Sequence, residues 1–278
     1  MSVRCLYVDL DGTLLGRGAS LLHDGEGRVS IEGVRALQAC LRAEVEVVLM
    51  SGRRRAQVHE DARLLGQDSF IFEAGACVVL DGGSQFGGEE RWLTGDLVPG
   101  ELSIAAQIER SGAPELLLER YAGRLEYHEP WHVAREVSHL FRGLVDADEA
   151  DRLLIEHGHG DLRLLDNGVV TRRSPALAEL DHVRGYHLAP AGASKAAAVA
   201  LHMRARGYPR EEVFAVGDSR EDLACAQNVG VFWLVANAVA RDPSIREAIS
   251  AYDNVRVAVA GHGAGVYEAV LSTLMTAG

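Results

Sequence analysis

The chain has 278 residues, which at roughly 100–200 residues per domain allows one large domain or two modest ones. Hydrophobic residues make up 47% and charged residues 24%, ordinary globular usage that supports a sizeable core and excludes disorder, collagen-like repeats and coiled coil. A formal net charge of −12 repels nucleic acid, which is not an expected partner, yet leaves room for a local basic pocket that holds a small anion.

In chain order, Val3–Leu10 is a short run of β-formers and the first predicted strand. Ser30 reads as an N-cap, followed by Ile31, Val34, Leu37, Cys40 and Leu41 at helical spacing. Val45–Met50 is a strand, Arg53–Leu65 a helix, Ser69–Glu73 a strand, and Val78–Leu80 runs into a turn at Asp81-Gly82-Gly83. A Gly-rich stretch (Gly82, Gly83, Gly87, Gly88) reads as a linker. Helical patterns follow near Glu101–Arg110 and Pro114–Tyr121, then an extended run at Ala134–Val145 and a helix near Ala147–His157. Leu162–Leu165 and Val169–Thr171 flank Asp166-Asn167-Gly168, a hairpin-turn signal. From Ser194 the α/β rhythm returns, with strands at Val213–Val216 and Val231–Val235 and helices near Ser194–Arg206, Glu221–Asn228, Pro243–Ala251 and Gly265–Leu274. The predicted fold class is α/β: a Rossmann-like parallel sheet over 1–82 and 188–278, with an α+β module inserted at 83–187.

The first strand ends at Asp9 and Asp11, too early for a secretory signal, and no apolar run approaches about 18 residues, so no membrane partner is expected. Cys5, Cys40, Cys77 and Cys225 lie far apart without ligand spacing and read as buried thiols of a reducing, cytoplasmic protein.

Chemistry gathers at the carboxyl ends of the strands, where open α/β sheets bind ligands. Asp9 and Asp11 flank Leu10 and precede Gly12-Thr13; two like charges this close call for a cation or a shared proton. Ser51-Gly52-Arg53 offers a hydroxyl, backbone N–H groups and a guanidinium to an anion. Gly217-Asp218-Ser219 with Asp222 brings a second carboxylate pair, and Lys195 heads a helix, where a cation opposes the helix dipole unless an anion faces it. Carboxylates, hydroxyl and ammonium together suit a phosphate dianion shared with Mg²⁺. One aspartate can form an aspartyl-phosphate, and a second can protonate the leaving alcohol and then activate water.

Asp9-Leu-Asp-Gly-Thr-Leu-Leu, Ser51-Gly-Arg, Lys195 and Gly217-Asp-Ser-x-x-Asp222 resemble, in order and in element, the motifs of the haloacid dehalogenase superfamily. That resemblance implies Asp9 as nucleophile and metal ligand, and Asp11 as general acid/base that binds metal through its carbonyl. It implies Ser51 and Lys195 on the phosphoryl oxygens beside Gly12, Gly52 and Arg53, Asp218 on the metal, and Asp222 on the metal or positioning Lys195. Asp11 separates the chain from true dehalogenases. The insert resembles the large α+β cap of members acting on sugar phosphates. Arg135-Glu-Val-Ser-His139 and Tyr186-His187-Leu188 are similar to stretches of mannosyl-3-phosphoglycerate phosphatases, which makes Arg135 and His187 candidates for substrate contact. His139-Leu140, Ala74 and Ala196 depart from the usual Glu-Pro, Asn and Gly. Arg142 lies seven residues from Arg135 and would face the other way on a regular strand. Trp131 and Trp233 read as core or cap-interface residues, and His157-Gly-His159-Gly as a helix-ending loop.

The expectation is a Mg²⁺-dependent phosphomonoester hydrolase of a small phosphorylated metabolite, a sugar phosphate or sugar-phosphoglycerate. The alternatives are a phosphomutase or phosphotransferase of the same superfamily, and a phospho-aspartate receiver. A receiver lacks its acceptor here, since Phe72-Glu73-Ala74 holds no aspartate after the third strand.

Overall fold

The computed structural model describes residues 2–82, 88–170 and 172–277; Gly83 and Gly87 of the expected linker, and Thr171, lie outside them. The chain runs through β1 (Cys5–Asp9), α1 (Glu32–Arg42), β2 (Glu46–Met50), α2 (Arg55–Leu65), β3 (Ser69–Phe72), β4 (Cys77–Leu80) and β5 (Glu89–Trp92). It continues through α3 (Ile104–Ser111), α4 (Ala113–Arg120), β6 (Leu125–Tyr127), β7 (His139–Gly143), α5 (Ala147–Glu156), β8 (Leu162–Val170) and β9 (Val183–Pro190). The remainder is α6 (Lys195–Arg206), β10 (Val213–Gly217), α7 (Arg220–Leu223), β11 (Val231–Leu234), α8 (Ala236–Arg241), α9 (Ile245–Ile249), β12 (Val255–Val257) and α10 (His262–Ala277).

Two sheets result. The larger has eight strands in the order β12-β11-β10-β1-β2-β3-β4-β5, parallel from β12 to β3 and antiparallel at β4 and β5. The smaller is antiparallel, in the order β6-β7-β9-β8. All five residues of β1 are buried, as a central parallel strand covered on both faces requires. Its side chains alternate: Leu6 and Val8 join the layer holding α1, α2 and α10, while Cys5 and Tyr7 join the layer holding α6. On α6, Lys195, Val199 and His202 are buried along one face, and Tyr7 Oη meets His202 Nδ1 at 2.8 Å. That contact fixes the far end of the helix whose first residue is Lys195.

The structure departs from the sequence reading in informative places. β5, inside the segment expected as the insert, pairs with β4 in the larger sheet, and β9 runs past residue 187 to Pro190 in the smaller one. Asp166-Asn167-Gly168 makes no hairpin. β8 is continuous along β9, with a register shift between Asp166 and Val169. Asp166 Oδ1 accepts the Gly168 N–H at 2.9 Å and Gly168 takes φ +93°, so the turn residues bulge a strand instead of reversing it. Of the extended run 134–145 only His139–Gly143 is strand; Ala134 has φ +55°, and the N–H groups of 136–138 are bound elsewhere. The helix expected over 221–228 is α7 followed by a 3₁₀ turn, Ala224–Gln227. Trp233 is buried, donating its indole N–H to Thr273, and α5 ends at a loop where Gly158 has φ +85°.

Between β3 and β4 the chain turns through Glu73, Ala74 and Gly75, with φ of +46°, +57° and +92°. A Cβ at Gly75 would lie 2.1 Å from the carbonyl oxygen of Ser194, immediately before Lys195. Gly75→Ala should therefore cost at least about 2 kcal/mol by overpacking against backbone. Ala74→Gly should change stability by less than about 1 kcal/mol, because relief of the left-handed conformation offsets lost chain restriction. Urea unfolding of the two variants checks both.

Candidate active site

β10, β1 and β2 are neighbours, so their carboxyl ends bring three loops together. Asp9 ends β1, Ser51 follows β2, Asp218 follows β10, and Lys195 opens α6 nearby. Asp9, Asp11, Ser51, Gly52, Arg53, Arg135, His187, Lys195, Asp218 and Asp222 all line one cavity of about 480 Å³ between the two sheets. Gly12 borders the adjoining hollow; at φ +90° its Cβ would lie 2.3 Å from an Asp218 oxygen, so only glycine lets the two loops approach this closely.

Lys195 is the electrostatic centre. Its ammonium, 1% exposed as a residue, donates to Asp9 Oδ1 at 2.6 Å and Asp222 Oδ1 at 2.5 Å. Burial disfavours the charged lysine, but Asp222, Asp9 and Glu221 outweigh it and hold its pKa well above the usual value. Burial pushes the Asp9 carboxyl up; Lys195 opposes this, while Asp222 and Asp218 reinforce it, and the result stands above the ordinary aspartate range. Burial and the neighbouring Asp222 likewise raise Asp218 to about 7, against the pull of Arg241, whose guanidinium donates to Asp218 Oδ2 at 2.8 Å. Ligand oxygens of Asp9, Asp218 and Asp222 lie within 4.8 Å of one another. Three carboxylates against the Lys195 ammonium and the Arg241 guanidinium leave negative charge that a hard cation with oxygen ligands fits.

Asp222 is firmly held. Its Oδ2 accepts from Ser219 Oγ at 2.6 Å and from the N–H groups of Ser219 and Asp218 at 3.0 and 3.1 Å, a capping box at the start of α7. With Oδ1 on Lys195, both oxygens are engaged. Asp11 behaves differently: its side chain is 53% exposed and grips Arg53 through two contacts of 2.6 Å. Arg53 also donates to Asp61 at 2.7 Å, and these carboxylates outweigh burial to raise its pKa. Ser51 Oγ accepts the Arg53 N–H at 3.1 Å.

On the cap side, Arg135 is buried, with its donors turned to protein: Gly52 O at 2.6 Å, Ser138 Oγ at 3.1 Å and Trp131 O at 3.4 Å. His187 is fully buried beside it, and burial with Arg135 nearby lowers its pKa well below the usual value. Arg142 faces away and pairs with Glu126 at 2.6 Å. Trp131 is 45% exposed at the cavity edge and not a core residue.

Two functional carboxylates escape the sequence reading. Glu221 Oε1 accepts the Lys195 N–H at 2.7 Å, an anion at the N-terminus of α6, and burial raises its pKa to about 7. Glu73, 0% exposed, accepts backbone N–H groups of Glu136, Val137 and Ser138 at 2.8, 3.1 and 2.7 Å. Its signal was the one that marked Asp9, an acid at the end of a buried strand.

No protein-family profile matches the chain. A phosphoglycolate phosphatase of Methanoculleus marisnigri is 26% identical over 272 residues, covering 96% of this chain and 95% of that protein. The sucrose-phosphatase of Synechocystis, solved with sucrose and phosphate, superposes with a TM-score of 0.62 at 14% identity, covering 98% of each chain. A phosphatase of the haloalkanoate (HAD) enzyme superfamily from Bacteroides thetaiotaomicron gives 0.61 at 18% identity, covering 98% of this chain and 95% of that one. Motif order, sheet topology and full-length similarity agree: the chain has the fold of these capped phosphatases and is similar along its whole length to named phosphatases.

Proposed function

We propose that this phosphatase hydrolyses a small phosphorylated metabolite, a sugar phosphate or sugar-phosphoglycerate, with Mg²⁺ and through an aspartyl-phosphate on Asp9. The observation that carries the reading is the buried Asp9–Lys195–Asp222 chain with Asp218 beside it, opening into the cavity under the cap. Asp9 and Asp218, with the Asp11 carbonyl, are the proposed holders of Mg²⁺, and Asp222 serves chiefly to fix Lys195. When bound, the ion supplies positive charge against the phosphoryl oxygens and keeps the carboxylates ionised.

Lys195 engages Asp9 Oδ1, so attack on phosphorus falls to Oδ2. The new bond forms as the phosphorus–oxygen bond to the substrate alcohol breaks, and Asp11 supplies the proton that the departing alkoxide takes. Asp11 must leave Arg53 to do so, since in the resting site Arg53 holds both its oxygens. In the second half Asp11 removes a proton from water, whose oxygen displaces Asp9 and releases inorganic phosphate. Ser51 and Lys195 hold the phosphoryl oxygens throughout, and the cap excludes bulk water.

Phosphate release from sugar phosphates, sugar-phosphoglycerates and an aryl phosphate tests the reading. Turnover should need Mg²⁺, stop with chelator, and vanish in Asp9→Asn. Asp11→Asn should lose about 10²–10⁴-fold, the usual worth of a general acid/base, least with the aryl leaving group. Asp9→Asn turning over at the wild-type rate would overturn the mechanism.

The raised carboxyls add a pH signature. Asp218 titrates near 7 in the folded, metal-free protein but near 3.9 unfolded, so between these values the folded chain holds a proton that the unfolded one lacks. Its contribution to stability is fully present below about pH 4 and lost as pH rises through about 7; Glu221 acts in the same direction. Melting temperatures without metal should fall from pH 5 to 7.5. The gain from saturating Mg²⁺ should widen over that range, because binding needs the ionised carboxylate. A Mg²⁺ effect independent of pH would contradict this.

A further inference from the structure

The phosphate loop Ser51-Gly52-Arg53 offers three backbone carbonyls, and all three are held. The Ala74 N–H donates to Ser51 O and the Glu73 N–H to Arg53 O, each at 3.0 Å. The middle carbonyl, Gly52 O, accepts instead from the cap, through Arg135 Nη2 at 2.6 Å. Arg135 in turn is held by Ser138 Oγ at 3.1 Å and lies 3.5 Å from Glu73 Oε2. Glu73 Oε2 also accepts the Ser138 hydroxyl at 2.9 Å, so one buried core carboxylate orders both the cap segment 136–138 and the arginine that reaches back.

A trans peptide is planar, so fixing a carbonyl fixes the N–H that points the opposite way. Pulling Gly52 O toward Arg135 aims the Arg53 N–H at Ser51 Oγ, where it is found at 3.1 Å. We infer that Glu73 and Arg135 are positioning residues that make the phosphate loop complete only when the cap is docked. Glu73 docks the cap, the docked cap delivers Arg135, and Arg135 sets the Gly52–Arg53 peptide plane beside the phosphoryl site. A phosphate ester that enters without the cap seated thus meets a loop with one peptide free to rotate. The kinetic consequence rests on the phosphatase reading; the structural coupling does not.

Amide hydrogen exchange on the full chain separates the two. In Glu73→Gln the amide group presents a donor to a ring of donors, and exchange should quicken at least about tenfold at 136–138 and also at Arg53. Arg135→Gln should quicken Arg53 alone, since Glu73 still accepts the cap amides. Exchange at 136–138 rising in Glu73→Gln while Arg53 stays protected would overturn the coupling. So would protection of the Arg53 amide in Arg135→Gln. Should Glu73→Gln fail to fold, Arg135→Gln and Ser138→Ala carry the test; Ser138→Ala is expected to loosen both segments less, and an effect confined to 136–138 would count against the inference. In the aryl-phosphate assay Arg135→Gln should lower kcat at least about tenfold with KM moving less than about threefold, and Arg135→Lys should restore part of it. A change in KM alone would make Arg135 an ordinary substrate contact. Absence of turnover in the wild type would instead remove the phosphatase reading and leave the exchange result standing.

Discussion

Asp9 and Asp222 can be buried at the mouth of the same sheet because a single ammonium lies between them, within 2.6 Å of each. Charges this far from water are tolerated only when paired and hydrogen-bonded, and every member of this set is. Lys195 is held at its backbone by Glu221, Asp222 by the α7 cap, and Asp9 by its place on a strand buried on both faces. The geometry of the site follows from this requirement: a lysine at a helix start, otherwise unfavourable, is where it is because its carboxylates surround it. The same set remains one positive charge short of balance, and that shortage suits the divalent ion proposed for the site.

A second buried carboxylate, Glu73, does for the two halves of the molecule what Lys195 does for the site. It stands in a turn of three left-handed residues whose backbone holds the phosphate loop, whose side chain holds the cap, and whose glycine abuts the residue before Lys195. Such a turn has strain and little tolerance for added atoms. It joins the loop proposed to hold phosphate and the segment that covers it.

The residues that line the cavity were legible because they are local: Asp9-x-Asp11, Ser51-Gly-Arg53 and Asp218-Ser-x-x-Asp222 are short patterns at strand ends, and a period of two or 3.6 placed the strands and helices beneath them. What was hidden was long-range. Glu73 looked like a strand-ending acid until the cap amides, more than sixty positions on, were seen to bind it. β5, with the sequence Glu-Glu-Arg-Trp, carries no apolar alternation and is a strand only because β4 offers it an edge. Asp166-Asn167-Gly168 had the right residues for a turn, and tertiary pairing made a bulge of them. Asp11 and Arg53 were read correctly as cavity residues, but their mutual grip joins two strands and no spacing rule reveals it.

The order of the sheet has a consequence for how the molecule is made. β1, which carries Asp9, has β2 on one side and β10 on the other, and β10 begins only at residue 213. While the cap is being synthesised, the strand bearing Asp9 is therefore an open edge, lacking half its ladder as well as α6 with its lysine. At roughly 5–20 residues per second that interval lasts on the order of ten seconds or more on the ribosome. During it an apolar strand ending in an unneutralised acid waits for a partner more than two hundred residues downstream, a contact order that favours slow completion of the sheet. The nascent chain can seat its cap early, but the charge balance of its active site closes last.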